Sequence, residues 1–492
     1  MFDEAFRKLL LIEQTCLKDL LIIDGCDAWP IVRHRLWATM TATPSNSSSN
    51  PRKTAKKTWT LLVSLSRVII RHFSKSIADE RISCFIQPTV FTFGRYQHFV
   101  LDYDDTNRKD RVLGPIAEEL AQQFQLEQFV LDNSSMESSL NPCRQFRRAI
   151  PTKNFRICGL FSSGLVHECQ KQGINRFRLV VSLFFDGLLF VSARKSMNRY
   201  CAALPHPSFA LIDTWYSPDM MGIISVLREL NVNTIEIQHG FIHPNHAMYI
   251  NWPNDSIYYK SIRPNAFWSW SNLAKNLLDI KTIPCHTNKE VFVGGYPWVY
   301  LQIEKLAGVT IRSDEELSLI EKRGHQIQVL ITLGAPQIVG CEDLPDSLLT
   351  VIRNRQDVSF VLLPHPNVPN FQNYLDDKFN CVLPRNVYVA PINTNLYSIL
   401  GVCTHHITAM SSVALESSAL RVPSLIIGKI GMELFNSLID NKWLFATDSD
   451  DQIINNFLME PNRVEKVGLA YVESSIELLH AAIERCKVPA RL

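Results

Sequence analysis

From about residue 80 onward, short apolar runs alternate along this chain with longer segments of helical periodicity. The runs that predict strands include Phe99–Leu101, Leu179–Phe184, Phe209–Ile212, Thr234–Ile237, Ile327–Leu333, Ser359–Leu363, Val387–Val389, His405–Thr408 and Ser424–Ile427. The segments that predict helices include Gly114–Phe124, Pro218–Leu230, Leu348–Arg355 and Val413–Leu420. Because parallel strands need a crossover connection, usually a helix, the alternation predicts α/β domains with parallel sheets.

The alternation falls into two blocks, which predicts two Rossmann-like domains that face each other across a cleft. The predicted organisation is a helical segment over 1–78, a first α/β domain over 79–300, a linker over 301–325, a second α/β domain over 326–465 and a helix within 466–492 that packs back on the domains. The first segment contains a Ser/Asn/Lys-rich insertion at 41–58. We predict that this insertion is mobile, because it has too little apolar surface to order itself.

Charge and cysteine usage exclude some function classes. The 50 Lys and Arg residues nearly balance the 48 Asp and Glu residues, so the net charge of +2 gives no field that favours nucleic acid as a partner. Twelve cysteines without a C-x-x-C pair are typical of a reducing compartment. The start of the chain lacks the pattern of a secretory signal, and no apolar stretch reaches the roughly 18 residues of a membrane span. We therefore predict a cytoplasmic protein.

A basic run at 52–57 within the N-terminal segment has two interpretations. It is followed by apolar residues from Trp59, so it fits a solvated loop in front of a buried helix. It also fits a segment that contacts an anionic membrane surface, because such surfaces attract clustered Lys and Arg. The first interpretation is the simpler one. The second would place the protein peripherally at the inner membrane.

In the first block, the polar triplet Gln238-His239-Gly240 follows the strand predicted at Thr234–Ile237. Open α/β sheets bind their ligands beyond the carboxyl ends of strands, so this triplet is a candidate site. Gly240 permits a tight turn or a close approach to a ligand. The unperturbed pKa of an imidazole suits a general base, and His239 is our candidate for taking a proton from an acceptor hydroxyl.

In the second block, three candidate groups follow predicted strands. His365 lies between Pro364 and Pro366, which restrict the backbone and orient the imidazole toward a phosphate or a base carbonyl. Ser411 and Ser412 precede a predicted helix, whose free N–H groups attract anions. The alternative for each is a loop histidine or simple helix capping.

Two further residues complete the predicted donor site. Glu416, in the first turn of the helix after Ser412, is a candidate acceptor for ribose hydroxyls. Gly334 follows the strand predicted at Ile327–Leu333 and permits close approach of its loop to a bound nucleotide.

Two metal sites are weaker alternatives. His239, His243 and His246 lie within eight residues, a spacing that can chelate zinc, but no carboxylate or thiol accompanies them on a regular helix. Asp102 and Asp104 follow an apolar run, as in transferases that hold a diphosphate through a metal ion. Since the second block already provides a phosphate site, we predict chemistry with neither metal nor cofactor.

At these residues the chain resembles bacterial glycosyltransferases of the GT-B fold. The likeness is to capsule and lipopolysaccharide enzymes, including the Kdo transferases, and more loosely to bacterial sialyltransferases and CDP-glycerol glycerophosphotransferases. It rests on His365-Pro366, Ser411-Ser412 and Gln238-His239-Gly240, together with Trp29-Pro30-x-x-Arg33 and Gly94-Arg95-Tyr96 near the N-terminus. The paired acid and glycine of the sialyltransferases are absent, and Asp213 at a strand end is a partial substitute.

The resemblance implies a sugar transferase with a CMP-linked, Kdo-like or sialic-acid-like donor. Its donor side would comprise Gly334, His365, Pro366, Ser411, Ser412 and Glu416. Its acceptor side would comprise Arg95, Gln238, Gly240 and His243, with His239 and Asp213 as catalytic residues. The acceptor would be a glycan or a lipid-linked glycan. Two alternatives stay open, a CDP-polyol phosphotransferase of the teichoic-acid type and a non-catalytic α/β partner in a polysaccharide assembly complex.

Overall fold

The fold is taken from a computed structural model of the chain. It describes residues 2–16, 21–24, 26–41, 88–95, 99–101, 108–131, 144–145, 163–204, 206–250, 252, 262–281, 290–308, 327–334, 343–365, 371–391, 394–440, 444–459 and 475–487. The insertion from 42 onward, Tyr96, Asp102, Asp104 and Pro366 lie outside these residues, so the predictions made for them stay predictions.

Eleven described strands precede the linker region: β1 Ile22–Ile23, β2 Cys26–Asp27, β3 Thr89–Arg95, β4 Phe99–Leu101, β5 Arg108–Asp110, β6 Gln125–Leu131, β7 Arg144–Gln145, β8 Phe209–Ile212, β9 Asn233–Ile237, β10 Ala266–Ser269 and β11 Glu290–Val293. Seven of them form a parallel sheet in the order β11-β10-β9-β8-β3-β6-β7. We call this the N-terminal sheet. The remaining four form two small antiparallel pairs, β1 with β2 and β4 with β5.

The described part of the second block contains β12 Ile327–Thr332, β13 Val358–Leu363, β14 Val387–Val389, β15 His405–Thr408, β16 Ser424–Ile427 and β17 Phe445–Thr447. They form the C-terminal sheet, which is parallel throughout and has the order β14-β13-β12-β15-β16-β17. Its strands are mostly buried on both faces, as expected for a sheet covered by helices on each side.

The described helices are α1 Phe2–Cys16, α2 Trp29–Thr41, α3 Gly114–Leu120, α4 Ser163–Lys171, α5 Arg176–Ala203, α6 Pro218–Glu229, α7 Asn272–Lys281, α8 Pro297–Gly308, α9 Asp346–Asn354, α10 Phe371–Phe379, α11 Leu396–Leu400, α12 Val413–Ala419, α13 Lys429–Leu434, α14 Asn436–Asp440, α15 Asp451–Met459 and α16 Ile476–Cys486. Helices α1, α2, α5 and α6 share one apolar core with the N-terminal sheet. On the other face of that sheet, α16 packs beside α3. The predicted boundary at 300/301 falls inside α8.

An apolar cluster drawn from both blocks joins the two sheets. It includes Trp270, Tyr296 and Val299 from the first block and α8, and Tyr397, Ala414, Leu415, Leu434 and Phe435 from the second. The rings of Trp270 and Tyr296 stack with their centroids 4.3 Å apart. A second stack crosses between the blocks, since Phe241 and Phe435 lie 4.8 Å apart. We call this group the junction cluster.

Two of the predicted elements differ from the structure. Leu179–Phe184 is not a strand, because it lies within the 28-residue helix α5. Its apolar residues surround the helix, which hides the helical period that separates helix from strand. Phe99–Leu101 is a strand, but it pairs in an antiparallel hairpin with β5 rather than joining the parallel sheet. Among the described residues, no helix combines the length and apolar character that crossing a membrane requires.

The close crossing of α5 and α6 depends on Gly222. A Cβ at this position would lie 2.3 Å from the Phe190 carbonyl oxygen and 3.1 Å from the Arg194 nitrogen, both of them backbone atoms of α5. Contacts this short force the helices apart. We expect Gly222→Ala to lower the free energy of unfolding by about 1–3 kcal/mol, measured by urea denaturation. Gly114→Ala is the matched control, because its Cβ would find its nearest neighbour at 3.9 Å, and an equal loss in both variants would contradict the crossing argument.

Candidate functional site at the carboxyl edges of the two sheets

Both sheets have a point where the strand order reverses, and the candidate residues follow those strands. In the N-terminal sheet the order reverses between β3 and β8, and Asp213 follows β8 directly. In the C-terminal sheet it reverses between β12 and β15, which Gly334 and Ser411 follow. Ligands of open α/β sheets bind in the crevice at such points. Each sheet therefore offers one crevice, and the predicted residues lie at both.

His239 lies between two buried carboxylates and a tyrosine. Its Nδ1 is 3.8 Å from Asp213 Oδ1 and 3.8 Å from Glu236 Oε1. Its Nε2 is 3.1 Å from the Tyr216 hydroxyl. The side chains of Asp213 and Glu236 are almost fully buried, whereas that of His239 is 14% exposed. The carboxylates beside Nδ1 favour a proton on that nitrogen, which leaves Nε2 as the acceptor.

Glu236 was not among the predicted site residues. It occupies the interior of β9, where side chains alternate between the two faces of the sheet. Its Oε1 accepts from the Tyr249 hydroxyl at 2.6 Å and from the Trp215 N–H at 3.4 Å. Burial, followed by the charges of Glu236 and Asp213, raises the pKa of Tyr216. The Tyr216 hydroxyl therefore stays protonated at neutral pH and can donate to His239.

Gln238 and Arg33 hold the segment that carries His239. The Gln238 side chain accepts from the Trp270 N–H at 2.8 Å and donates to the Gly240 carbonyl at 2.9 Å, which closes the turn after β9. Arg33 is fully buried and donates to the carbonyls of Ala247 and Ile250 at 2.6 and 2.9 Å. Both residues stabilise the loop from within the fold.

The structure places Arg95 and His243 inside the fold rather than on an open acceptor surface. Arg95 is 7% exposed and contacts Ser217 and Asp219 at the start of α6. His243 is 8% exposed, accepts from the Asn245 N–H at 3.3 Å, and has its pKa lowered to about 4 by burial. The described residues contain no group of His, Cys, Asp and Glu arranged to hold a metal ion.

Gly334 and the serines line the crevice of the C-terminal sheet. The Gly334 N–H donates to Asp343 Oδ1 at 2.9 Å. The Ser411 hydroxyl accepts from the Val413 N–H at 3.3 Å, which caps α12. Ser412 has no side-chain capping bond. Of the two serines, Ser412 therefore has the hydroxyl that is open to a ligand.

Glu416 is buried beneath the serines rather than exposed on the helix surface. It is 1% exposed and its Oε2 accepts a hydrogen bond from the Tyr397 hydroxyl. Burial raises the pKa of Glu416, and the charge of Arg111 opposes that rise. His365, in contrast, is exposed, and partial desolvation and then the charge of Arg111 lower its pKa.

Arg111 is a cation whose charge acts on groups at both sheet edges. Burial lowers the pKa of Arg111, and electrostatic attraction to four groups raises it. These groups are Tyr296, Glu416, Tyr397 and Asp213. Asp213 belongs to the N-terminal edge and Glu416 to the C-terminal edge, so the two edges lie within electrostatic reach of one cation. Arg111 was not among the predicted site residues, because a single arginine after a hairpin carries no motif.

No protein-family model matches the chain, and no curated protein matches it significantly. Solved structures match over most of its length. The UDP-GlcNAc 2-epimerase of Neisseria meningitidis, bound to UDP-GlcNAc, has a TM-score of 0.52 at 15% identity and covers 81% of this chain and 99% of its own. MnaA of S. aureus in its co-structure with UDP also reaches 0.52, at 10% identity, covering 82% of this chain and 96% of its own.

A third match, the UDP-GlcNAc 2-epimerase of Methanocaldococcus jannaschii, has a TM-score of 0.52 at 10% identity and covers 81% of this chain and 99% of its own. The chain has a GT-B-type fold. This confirms the predicted pair of Rossmann-like α/β domains. At such low identity the likeness concerns the fold alone.

A cavity of about 350 Å³ lies elsewhere, against β16, β17 and α15. Its lining side chains are apolar apart from that of Asn456, and they include those of Leu425, Phe445 and Met459. A phosphate or a sugar needs several precisely placed polar side chains, and this cavity offers one. The polar groups of the sheet edges are therefore the better candidate site.

The burial of Asp343 makes stability depend on pH, and the hydrogen bond from the Gly334 N–H opposes this effect. Burial raises the pKa of Asp343 from 3.8 to about 6. The raised pKa means that the folded protein favours the protonated carboxyl of Asp343. The contribution of Asp343 to the free energy of unfolding is therefore fully present below about pH 4 and is lost as the pH rises through about 6. The loss is at most about 3 kcal/mol.

We therefore expect the free energy of unfolding of the wild type, relative to that of Asp343→Asn, to fall between pH 4 and pH 7. The amide keeps an acceptor for the Gly334 N–H and does not titrate. Urea denaturation of both proteins across this range measures the difference. A difference that is constant with pH would show that Asp343 does not titrate as described.

Proposed function

We propose that the protein is a glycosyltransferase that moves a sugar from a nucleotide-activated donor, bound at the C-terminal sheet edge, to an acceptor at the N-terminal edge. The observation that carries the proposal is that a partly buried histidine beside two buried carboxylates lies at one sheet edge and a phosphate-type crevice at the other, and the charge of Arg111 reaches both edges. The GT-B fold is shared by the nucleotide-sugar epimerases that superpose on this chain. The acceptor class, a surface glycan, rests on the sequence resemblance.

On the donor side, the proposal assigns the phosphate to Ser412 and His365. Ser412 has no side-chain capping bond, and it lies at the point where the C-terminal strand order reverses. His365 is exposed after β13, on the neighbouring strand. Glu416 would accept a hydrogen bond from the ribose hydroxyls once the Tyr397 hydroxyl releases the carboxylate oxygen Oε2 to which it donates. Gly334 has no side chain, so its backbone can approach the nucleotide, and a Cβ at this position would lie 3.2 Å from Asp343 Oδ1.

On the acceptor side, His239 is the proposed general base. Nε2 takes the proton of the acceptor hydroxyl after that hydroxyl displaces the Tyr216 hydroxyl from it, while Asp213 and Glu236 stabilise the imidazolium that forms. The acceptor oxygen bonds to the anomeric carbon as the bond from that carbon to the donor phosphate oxygen breaks, and the electron pair leaves with the phosphate. Fixed dipoles around the leaving phosphate then lower the barrier without a metal ion.

The donor nucleotide and the group transferred are separate parts of the proposal. The resemblance favours CMP, whereas two of the matching structures were solved with UDP or UDP-GlcNAc. Product analysis distinguishes the reactions. A new glycosidic bond supports the transferase, a new phosphodiester supports the CDP-polyol alternative, and a donor changed only in sugar configuration supports an epimerase.

A nucleotide screen tests the donor site. We expect CMP or a CMP-sugar to raise the melting temperature, because a ligand at 100 times its Kd adds about 2.7 kcal/mol to the free energy of unfolding. The measurement is a thermal-shift series with CMP, CDP, UDP and GDP. Stabilisation by UDP alone would show that the cytidine assignment is wrong, and no stabilisation by any nucleotide would contradict the donor site itself.

Paired variants test whether the N-terminal edge provides the general base and the C-terminal edge binds the donor. We expect His239→Ala to lower the single-turnover rate by about 10²–10⁴-fold while leaving the nucleotide Kd nearly unchanged. Ser412→Ala should weaken nucleotide binding by about 10–150-fold, as for the loss of a hydrogen bond to a charged group. Ser418→Ala, in the same helix, is the control, because its hydroxyl donates to the Leu415 carbonyl at 2.6 Å. Loss of nucleotide binding in His239→Ala with chemistry intact would reverse the assignment of the two edges.

A further inference from the structure

Arg111 is held in place by the turn that precedes α3. Asp110 Oδ1 accepts from the N–H groups of Val112 and Leu113 at 2.8 and 3.1 Å, which fixes the backbone on both sides of Arg111. Asp110 itself packs against the end of β3, where a Cβ on Gly94 would lie 2.4 Å from Asp110 Oδ2. Arg111 is thereby anchored to β3, one of the two strands at which the N-terminal order reverses.

The surroundings of Arg111 come from both domains. Asp213 follows β8 in the N-terminal sheet, whereas Tyr397 and Glu416 belong to helices of the C-terminal domain. The charge of Arg111 acts on each of these groups and also on His365. The charge of Arg111 therefore reaches groups at both edges, Asp213 beside the proposed base and His365 and Glu416 among the proposed donor ligands.

Arg111 has no direct partner among the residues that the structure describes. Its Nε is buried without a hydrogen bond, and neither a hydrogen bond nor an ion pair joins its guanidinium to a described side chain. Four other arginines differ in this respect, because Arg33, Arg35, Arg95 and Arg194 each pair with a carboxylate. A buried guanidinium nitrogen left without a hydrogen bond, like Nε of the partly buried Arg111, is costly unless a ligand completes it.

We propose that Arg111, reaching across from the N-terminal domain, binds the phosphate of the donor nucleotide. This inference rests on the proposed function and adds a ligand that the motifs of the C-terminal domain do not contain. A guanidinium suits the role because its fork of N–H donors matches two phosphate oxygens at once. The leaving phosphate keeps the electron pair of the broken bond, and the fixed cation stabilises that charge.

The placement of Arg111 also explains why the donor would bring the domains together. Without a phosphate, the described residues offer the guanidinium the longer-range attraction of Asp213 and Glu416 and no direct contact. With a phosphate, one anion contacts Arg111 from the N-terminal edge and Ser412 from the C-terminal edge. The bound donor then contacts both domains and lies beside the acceptor base His239.

The test compares nucleotides with nucleosides, because only nucleotides carry the phosphate. Affinities of CMP and UDP are measured by isothermal titration calorimetry, and those of cytidine and uridine by ligand-observed NMR, for wild type, Arg111→Met and Arg111→Lys. Arg194→Met is the matched control, since Arg194 contacts Ser225 and Glu229 at the far end of α6. We expect Arg111→Met to weaken the nucleotide that binds by about 10–150-fold and to leave its nucleoside within about 3-fold.

The outcomes separate this inference from the function on which it rests. Arg111→Lys keeps the charge but loses the fork, so it should fall between wild type and Arg111→Met. If wild type binds nucleotide and Arg111→Met binds it equally well, the phosphate role of Arg111 is wrong while the donor site stands. If nucleoside and nucleotide weaken alike, Arg111 acts on domain geometry and not on phosphate. If wild type binds no nucleotide, the proposed function fails and this inference fails with it.

Discussion

The junction cluster is the contact on which the rest of the site depends. Two parallel sheets bring their carboxyl edges together only if something holds the domains in register, and here aromatic and aliphatic side chains of both domains do so. Phe241 is the decisive member, because it follows Gly240 directly and stacks on Phe435. The loop that carries His239 is therefore fastened to the C-terminal domain. Burial of large aromatic rings contributes several kcal/mol, which is enough to fix such a loop.

This packing concentrates charge where little water remains. Asp213, Glu236 and Glu416 are each 1% exposed or less, and the charge of Arg111 acts on Asp213 and Glu416. In a poorly solvated site, charges interact more strongly and over longer distances than at a surface. An anionic ligand would be attracted by the guanidinium of Arg111, which has no direct partner among the described residues. The packing of the junction cluster therefore also determines where the polar groups of the two sheet edges meet.

Much of the fold could be predicted from the sequence, because strands and crossover helices follow simple periods. The bounds of β8, β14, β15 and β16 agree with the predicted runs. The first half of α5 was misassigned because a helix that is apolar on most sides shows no clear period.

Less of the candidate site could be predicted. Glu236 lies inside a strand, where no motif marks it. The proposed role of Arg111 depends on residues that are far from it in the chain, such as Asp213 and Glu416. Conversely, Arg95 and His243 lie in promising sequence positions, yet packing turns both of them inward. Tertiary contacts between distant segments decide which side chains reach a crevice, and one sequence does not record them.

Hydrogen exchange with and without nucleotide tests the central claim most directly, because it reports on both domains in one measurement. If the donor lies between the sheet edges, a saturating nucleotide should slow exchange at 409–416 in the C-terminal domain and at 111–113 and 238–243 in the N-terminal domain. Protection confined to a single domain, or centred on the apolar cavity beside Phe445 and Met459, would contradict a donor site shared by the two edges.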